Sequence, residues 1–466
     1  MLDDSRMRNS MFLDTGRRVP RRDLLRLGGL TGLSLTLPQL LRARAQTNAA
    51  ELPTFGRAKQ VIVLFLHGGP PQQETFDPKP DGPSEVRGEF SAIPTSLPGV
   101  QFSEVLPQCA RIADRLTVIR SMSHGNPNHV QACLPANTGH KHAPSEASRG
   151  DFPPSATDFP PFGAVLDALR PADTLPTWVR VGPLMRRNNG TVLHGQTPGF
   201  LGDRHASFVV DQDLRPEQVT VEAIQPADEL SVVRLGARRD LLGEFDRERR
   251  VLDRSADAQN LDAFYQRAFG LLGSEQTRKA FALSEEPAEV RARYGQTEFG
   301  QRCLLARRLA EAGVPMVNVS YCHTPRGSWD THSRNFRQMR ESLGPTFDTA
   351  FPALVEDLEE RGLLEETLVV VLAEFGRTPA INRNAGRDHW PWVYSLALAG
   401  AGVRRGNVIG ASDSSAAYPT TEPIDPADFA ATLYHLLGVP SDTLLSDAVG
   451  RPHHLIVGKA INDVLA

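Results

Sequence analysis

The run Gln60-Val61-Ile62-Val63-Leu64-Phe65-Leu66, closed by His67-Gly68-Gly69-Pro70-Pro71, decides the fold. Its β-branched and aliphatic residues follow one another without polar alternation, so neither face is left for water. Such a run suits a strand covered on both sides, as in a parallel sheet. His67 to Pro71 then makes a sharp loop. Residues 116–120, 314–320, 367–373 and 394–399 repeat the pattern as four further short strands. Between them the apolar spacing changes to three and four. Phe299, Cys303, Leu304, Ala306 and Leu309 stripe a helix over 298–312. Phe347, Phe351, Leu354, Val355 and Leu358 stripe another over 346–362, ending at Gly362, and Gly438 caps a third over 427–437. Helices between buried strands imply right-handed crossovers. The expectation is a single α/β domain over 59–466, with a large, mostly parallel central sheet sandwiched by helices. A Pro-, Gly-, Asn- and Asp-rich stretch, 134–215, reads as a loop-rich insertion, and the charged stretch 226–295 as a helical one.

Ahead of the domain, Arg21-Arg22-Asp23-Leu24-Leu25-Arg26 has the paired arginines, apolar residues and following cation read by the twin-arginine (Tat) translocase. The apolar stretch 27–37 falls short of the ~20 residues that a membrane-spanning helix needs. Pro38 ends it, and Ala43-Arg44-Ala45 offers a small-x-small cleavage site. Residues 1–45 therefore read as a Tat signal peptide and 46–58 as a linker. The translocase would be a partner during export, the mature chain would be periplasmic or extracellular, and no stable membrane span would remain after cleavage. Replacing Arg21 and Arg22 together by Lys is expected to trap the precursor inside the cell, since the guanidinium pair is what the translocase reads. Unchanged export on cell fractionation would refute the assignment.

The whole chain has a net charge of −4, and its first 45 residues hold nine Arg and four Asp, so the remainder is near −9. That balance argues against nucleic acid or anionic lipid as a partner. Cys109, Cys133, Cys303 and Cys322 form no C-x-x-C pair, which argues against a zinc ribbon or thioredoxin-like motif and leaves one or two disulfides open.

In open α/β sheets, function gathers beyond the carboxyl ends of the strands. Here those ends are followed by His67, Glu74 and Asp77; by Ser121, Ser123, His124 and His129; by Tyr321-Cys322-His323 and Trp329-Asp330-Thr331-His332; by Glu374-Phe375-Gly376-Arg377; and by Gly386-Arg387-Asp388-His389-Trp390. Imidazole and carboxylate together suit zinc or manganese. Asp330, His332 and His389 are the candidate metal ligands, although the first two could instead cap a turn. Glu374 is a fourth ligand or a partner orienting a histidine, or it pairs with Arg377. Arg377 and Arg387 are candidates to grip an anionic group bidentately. His129 or His124 would serve as acid or base. Ser123, like Ser121, follows a strand, where a helix N-terminus can activate a hydroxyl.

Several of these segments resemble one bacterial family. They are Phe65-Leu66-His67-Gly68-Gly69-Pro70, Thr75-Phe76-Asp77-Pro78-Lys79-Pro80, Arg87-Gly88-Glu89-Phe90, Ile119-Arg120-Ser121-Met122, Trp329-Asp330-Thr331-His332, Ala373-Glu374-Phe375-Gly376-Arg377-Thr378-Pro379, Gly386-Arg387-Asp388-His389-Trp390 and residues 431–438. The family is the Tat-exported domain of unknown function 1501, itself similar to a divergent branch of the alkaline phosphatase and sulfatase superfamily. The resemblance implies a large sheet between helices and a metal-assisted hydrolase ancestry. Asp330 and His332 match an Asp and a His that precede the penultimate core strand there. Glu374-Phe375-Gly376 occupies the place of an Asp-His-Gly, and His389 matches a later His. The departures are equally specific. Phe375 cannot bind a metal, and His67-Gly68-Gly69 stands where an aspartate is usual. Asn128-His129-Val130 occupies the region of the Ser, Thr or Cys nucleophile. Cys133-Leu134-Pro135-Ala136-Asn137 looks like a sulfatase C-x-P-x-R but lacks its arginine, so Cys133 reads as buried or paired. An activated water or His129 would replace the nucleophile, or catalysis is lost. Two functions follow. One is an exported metal-dependent hydrolase of sulfate or phosphate esters, with sulfated or phosphorylated carbohydrate among its candidate substrates. The other is a catalytically inactive binding or structural protein on the same fold.

Overall fold

The computed structural model describes residues 53–147, 149–172, 175–187, 189–214, 275–321 and 329–466. The expected signal peptide (1–45), the expected linker up to residue 52, residues 226–274 of the stretch read as a helical insertion, and Cys322-His323 lie outside the described residues. Eight strands build the central sheet: β1 (Gln60–Phe65), β2 (Leu116–Met122), β3 (Trp178–Val181), β4 (Phe208–Val210), β5 (Met316–Ser320), β6 (Thr367–Leu372), β7 (Tyr394–Ala399) and β8 (Asn407–Ile409). Their order is β8-β2-β7-β6-β1-β5-β3-β4, so β1 and β6 lie side by side at the centre. Alternate residues of β1 feed opposite cores. Ile62 and Leu64 join one apolar cluster, and Val61, Val63 and Phe65 the other. Strand β6 divides likewise, with Val369 and Val371 on one face and Leu368, Val370 and Leu372 on the other. This is what the unalternating apolar runs require, because period-two side chains that are apolar at every position must be covered twice.

Helices α3 (Glu298–Glu311) and α4 (Gly344–Glu360) cover one face, and α1 (His129–Thr138), α2 (Phe162–Leu169) and α5 (Pro426–Leu436) the other. Burying a Leu, Val or Phe contributes about 1.5–3 kcal/mol. The interdigitated stripes Phe347/Phe351/Leu354 and Phe429/Leu433/Leu436 therefore anchor the two layers.

Strands β1, β5 and β6 run parallel in register, with Phe65 opposite both Leu372 and Ser320, so their carboxyl ends share one edge of the sheet. Strand β7 departs from the parallel expectation, pairing antiparallel with both β6 and β2. A parallel return needs a crossover that carries the chain back along the sheet. Here the chain stays at the carboxyl edge, folds Gly376–Arg377 against His389–Trp390, and re-enters from that same edge. Two further expectations need adjusting. The stretch 134–215 contributes strands β3 and β4, helix α2 and the last turns of α1, so it is less loop-like than its composition suggests. Residues 54–58 dock on the end of α5, with Gly56 and Ala58 N–H donating to the carbonyls of His435 and Leu436. Cys109, Cys133 and Cys303 are buried free thiols. Among the described residues no helix is long and apolar enough to cross a membrane.

Candidate metal centre

The parallel edge gathers the polar loops. His67-Gly68-Gly69 turns sharply with φ of 109° at Gly68 and 81° at Gly69. The turn lets the backbone press against the loop after β5: a Cβ on Gly68 would lie 2.3 Å from the Asp330 nitrogen. Trp329 N–H donates to the His67 carbonyl at 3.1 Å, and Gly68 N–H donates to Glu374 Oε1 at 2.8 Å. Gly68→Ala combines a disfavoured φ with this clash. It is expected to cost more than about 1 kcal/mol and to displace Asp330, read as a lower denaturation midpoint together with reduced bound metal. An unchanged metal content would show that the loop yields without moving the carboxylate.

Asp330, His332 and His389 converge, although 57 positions separate the two histidines. The Oδ1 atom of Asp330 lies 3.1 Å from His332 Nε2, 3.1 Å from His389 Nε2 and 3.2 Å from His129 Nε2. The two imidazole nitrogens of His332 and His389 are 2.8 Å apart. The far side of each ring fixes its tautomer. His389 Nδ1 faces the Pro127 carbonyl at 2.7 Å, which can only accept, so the proton sits there. His129 Nδ1 donates to Glu374 Oε1 at 2.6 Å, and His332 Nδ1 to Asp388 Oδ1 at 2.6 Å. A neutral imidazole carries one N–H, so three Nε2 lone pairs point at one carboxylate oxygen. One proton on His332, whose pKa the Asp330 carboxylate raises, would relieve part of this repulsion. His389 does not help, because burial lowers its pKa to about 4. His129 Nε2 is left buried with no hydrogen bond.

Next to this set, His67 is buried with both ring nitrogens unpartnered, and Glu374 Oε2 is unpartnered as well. Burial, chiefly, lowers the His67 pKa to about 4, so its lone pair is free. Burial alone would raise the Glu374 carboxyl, but the hydrogen bond from His129 outweighs it and holds the carboxyl below its ordinary value. Burial likewise opposes the Asp330 charge, yet imidazole protons shared with it and the Arg377 guanidinium that touches it would hold that carboxyl well below the usual range when no metal is bound. Each orphaned buried polar atom costs about 1–3 kcal/mol, and four of them sit within this one cluster. A divalent cation held there would offset part of that cost, through the atoms that face it. Two overlapping groups offer ligand atoms within 4.8 Å of one another: His129, Asp330 and His389, and His67, His129 and Glu374. The outward Nδ1–H bonds to carboxylate and carbonyl oxygens are the kind that orient metal-binding histidines. The residues present therefore fit a metal of the zinc class.

The other candidates fall differently. His124 is no acid or base for this centre: Nδ1 accepts from Asn126 N–H at 3.1 Å and Nε2 donates to the Glu374 carbonyl at 2.6 Å, so both nitrogens are spent supporting Glu374. Ser123 donates its backbone N–H to the Ile424 carbonyl and is not among the residues that group their ligand atoms at the centre. Arg377 is fully buried and gives its donors to the carbonyls of Gly68, Gly69 and Arg387 and, at 2.6 Å, to Asp330 Oδ1. Arg387 is equally buried and bonds Glu74 and the carbonyls of Val86, Thr378 and Pro379. Neither guanidinium faces an incoming anion. His129, read from sequence as an acid or base, stands at the middle of the ligand cluster, and His67, given no role there, lines its floor. The signal for His67 was its position directly after the central strand. Phe375 packs against the rings of His129 and His389, with centroids 4.7 and 4.8 Å away.

A family model described as "Protein of unknown function (DUF1501)" matches residues 58–465. The chain belongs to the DUF1501 family. No curated protein matches it. Among solved structures, an alkaline phosphatase superfamily protein from Vibrio parahaemolyticus is similar at 13% identity, covering 93% of this chain and 80% of that one, with a TM-score of 0.39. A phosphonate monoester hydrolase of Agrobacterium radiobacter is similar at 11% identity, covering 87% and 77%, with a TM-score of 0.40. A sulfatase from Pseudoalteromonas sp. is similar at 14%, covering 85% and 71%, with a TM-score of 0.38. In this DUF1501 chain the centre combines a buried floor, His67 and Glu374, with a wetter rim, where the His332 side chain is 45% exposed.

Proposed function

We propose that this DUF1501 chain is an exported, divalent-metal-dependent hydrolase of sulfate or phosphate esters. The observation that carries the reading is the convergence of three Nε2 lone pairs on Asp330 Oδ1, with every opposite Nδ1–H bound to an oxygen. His129, Asp330 and His389 would hold the metal, with His67 and Glu374 able to hold a second ion behind it. A metal bound there would act as a Lewis acid, polarising the ester oxygen. His332 has the placement of a proton carrier: it is half exposed, Asp388 fixes its ring through Nδ1, and its Nε2 faces the centre. Its Nε2 would take the proton from an attacking water. Phe375 closes the apolar side of the histidine pair against bulk water. Arg377 and Arg387 are spent internally, so the anionic group would rest on the metal itself.

One observation favours a second reading, a catalytically silent binding protein on the same fold: both arginines expected to grip the anion are internal. The two readings part on one experiment. The purified chain is assayed for bound metal and for turnover of 4-nitrophenyl sulfate and phosphate. Stoichiometric metal with turnover is expected, with His389→Ala losing turnover and the metal of this centre, and Ser123→Ala keeping its metal. A metal-free chain that turns over neither ester after zinc or manganese is supplied would end the hydrolase reading.

A further inference from the structure

A second group of ligand-type side chains lies outside this centre. His142, Asp158 and His194 each offer one ligand atom, and these lie within 4.8 Å of one another. His194 is 0% and Asp158 7% exposed, and the His142 side chain is 4% exposed. The hydrogen bonds around them are incomplete in an informative way. His194 Nε2 lies 3.0 Å from the Phe152 carbonyl, which can only accept, so the N–H belongs there. His194 Nδ1 then turns a lone pair to Asp158 Oδ2 at 2.6 Å. Two acceptors at that distance need a positive charge between them, either a proton or a metal cation. A proton would complete that pair but would leave His142 Nε2 buried without a partner. A cation takes all three atoms.

The outer atoms of the three residues are already turned to polar groups. His194 uses the Phe152 carbonyl, His142 Nδ1 faces Glu146 Oε2 at 3.7 Å, and Asp158 Oδ1 accepts from Ser155 Oγ at 3.0 Å. The hydrogen bond of His194 to the Phe152 carbonyl is of the kind that orients a metal-binding histidine, and the Glu146 carboxylate is an ionic neighbour of His142. The Phe152 ring packs on both imidazoles, with centroids 5.3 Å from His142 and 4.7 Å from His194, and walls the group from water. Two imidazoles and a carboxylate suit a divalent transition-metal ion.

We propose that His142, Asp158 and His194 form a second metal site, for a divalent cation of the zinc class, separate from the centre at Asp330. Its placement gives it a task. His142 follows the C-cap of α1, Gly139, by three residues, and His194 N–H donates to the Val130 carbonyl at 3.3 Å in the first turn of the same helix. Gly195 sits so close to α1 that a Cβ there would lie 2.8 Å from the Cys133 carbonyl. A cation held by these three residues pins loops from both ends of α1 onto the helix whose first residue is His129.

The test counts zinc per chain after chelator stripping, reloading with zinc and exhaustive dialysis of the full-length protein. His142→Ala is expected to hold one equivalent fewer than the unmodified chain, and His142→Cys, which keeps a ligand, the full number. Asp330→Asn, which attacks the other centre, is expected to retain the equivalent bound here. An equal count in His142→Ala and the unmodified chain overturns the proposal, and so does an Asp330→Asn chain that holds no zinc. If His142→Ala fails to fold, Asp158→Asn is read in its place, and it too is expected to hold one equivalent fewer. Zinc lost on His142→Ala but kept on Asp330→Asn would support this site while removing the metal from the proposed hydrolase centre.

Discussion

Asp330→Asn is expected to weaken zinc binding at the centre by more than ~100-fold, since losing a mere supporting partner already costs roughly 10–100-fold. The Asp330 oxygen is the atom that His129, His332 and His389 all approach within 3.2 Å. It also supplies the negative charge that offsets Arg377, whose guanidinium touches it at 2.6 Å. The amide keeps the shape and an acceptor for Arg377 but removes the charge. The dication would then face a buried guanidinium with no carboxylate between them. Unit charges ~4 Å apart are worth about 4 kcal/mol at an effective dielectric of ~20, which exceeds what a 100-fold loss requires. Competition against a chromogenic zinc chelator measures the change. A dissociation constant within a few-fold of the unmodified chain would mean that Asp330 only braces the loop after β5.

The second large effect concerns stability. Glu74→Ala is expected to cost about 3–5 kcal/mol, the usual result of stranding one member of a buried ion pair. Glu74 and Arg387 are both fully buried. The carboxylate receives Arg387 Nε at 2.9 Å and NH2 at 2.5 Å, and Asn335 Nδ2 at 3.2 Å. The damage should reach the centre as well, because Arg387 directly precedes Asp388 and His389. A double replacement, Glu74→Leu with Arg387→Met, removes both charges and should recover much of the loss. Urea denaturation of the three chains gives the comparison. If Glu74→Ala unfolds at the same midpoint as the unmodified chain, the pair is not holding the ribbon of residues 376–390 in place.

The sheet was legible from residues 60–66 and 367–373 because their information is local. An unbroken β-branched run must be covered on both faces wherever it sits, and β1 and β6 do lie at the centre. The antiparallel entry of β7 was not legible, because strand direction depends on the path of the ribbon before it, not on the strand's own residues. Within the centre, Asp330, His332, His389 and Glu374 could be picked out because each closely follows a strand or its loop, and parallel strands deliver such loops to one edge. The tasks of His129 and His124 could not. Both follow β2, look alike in sequence and donate to Glu374, some 250 positions away, His129 to its side chain and His124 to its main chain. The folded loop then brings Asn126 N–H onto the other nitrogen of His124, while that of His129 stays unpaired. Arg377 and Arg387 show the same limit from the other side. A guanidinium in a loop is an anion grip or an internal strut according to which carbonyls surround it. Those of Gly68, Gly69 and Val86, together with the Glu74 carboxylate, arrive from some three hundred residues earlier in the chain. Sequence thus determined which residues reach the carboxyl edge of the sheet, through local pattern and strand order. Only the tertiary structure decided which of their polar atoms remain unpaired there, because hydrogen-bond partners distant in the chain consume the rest.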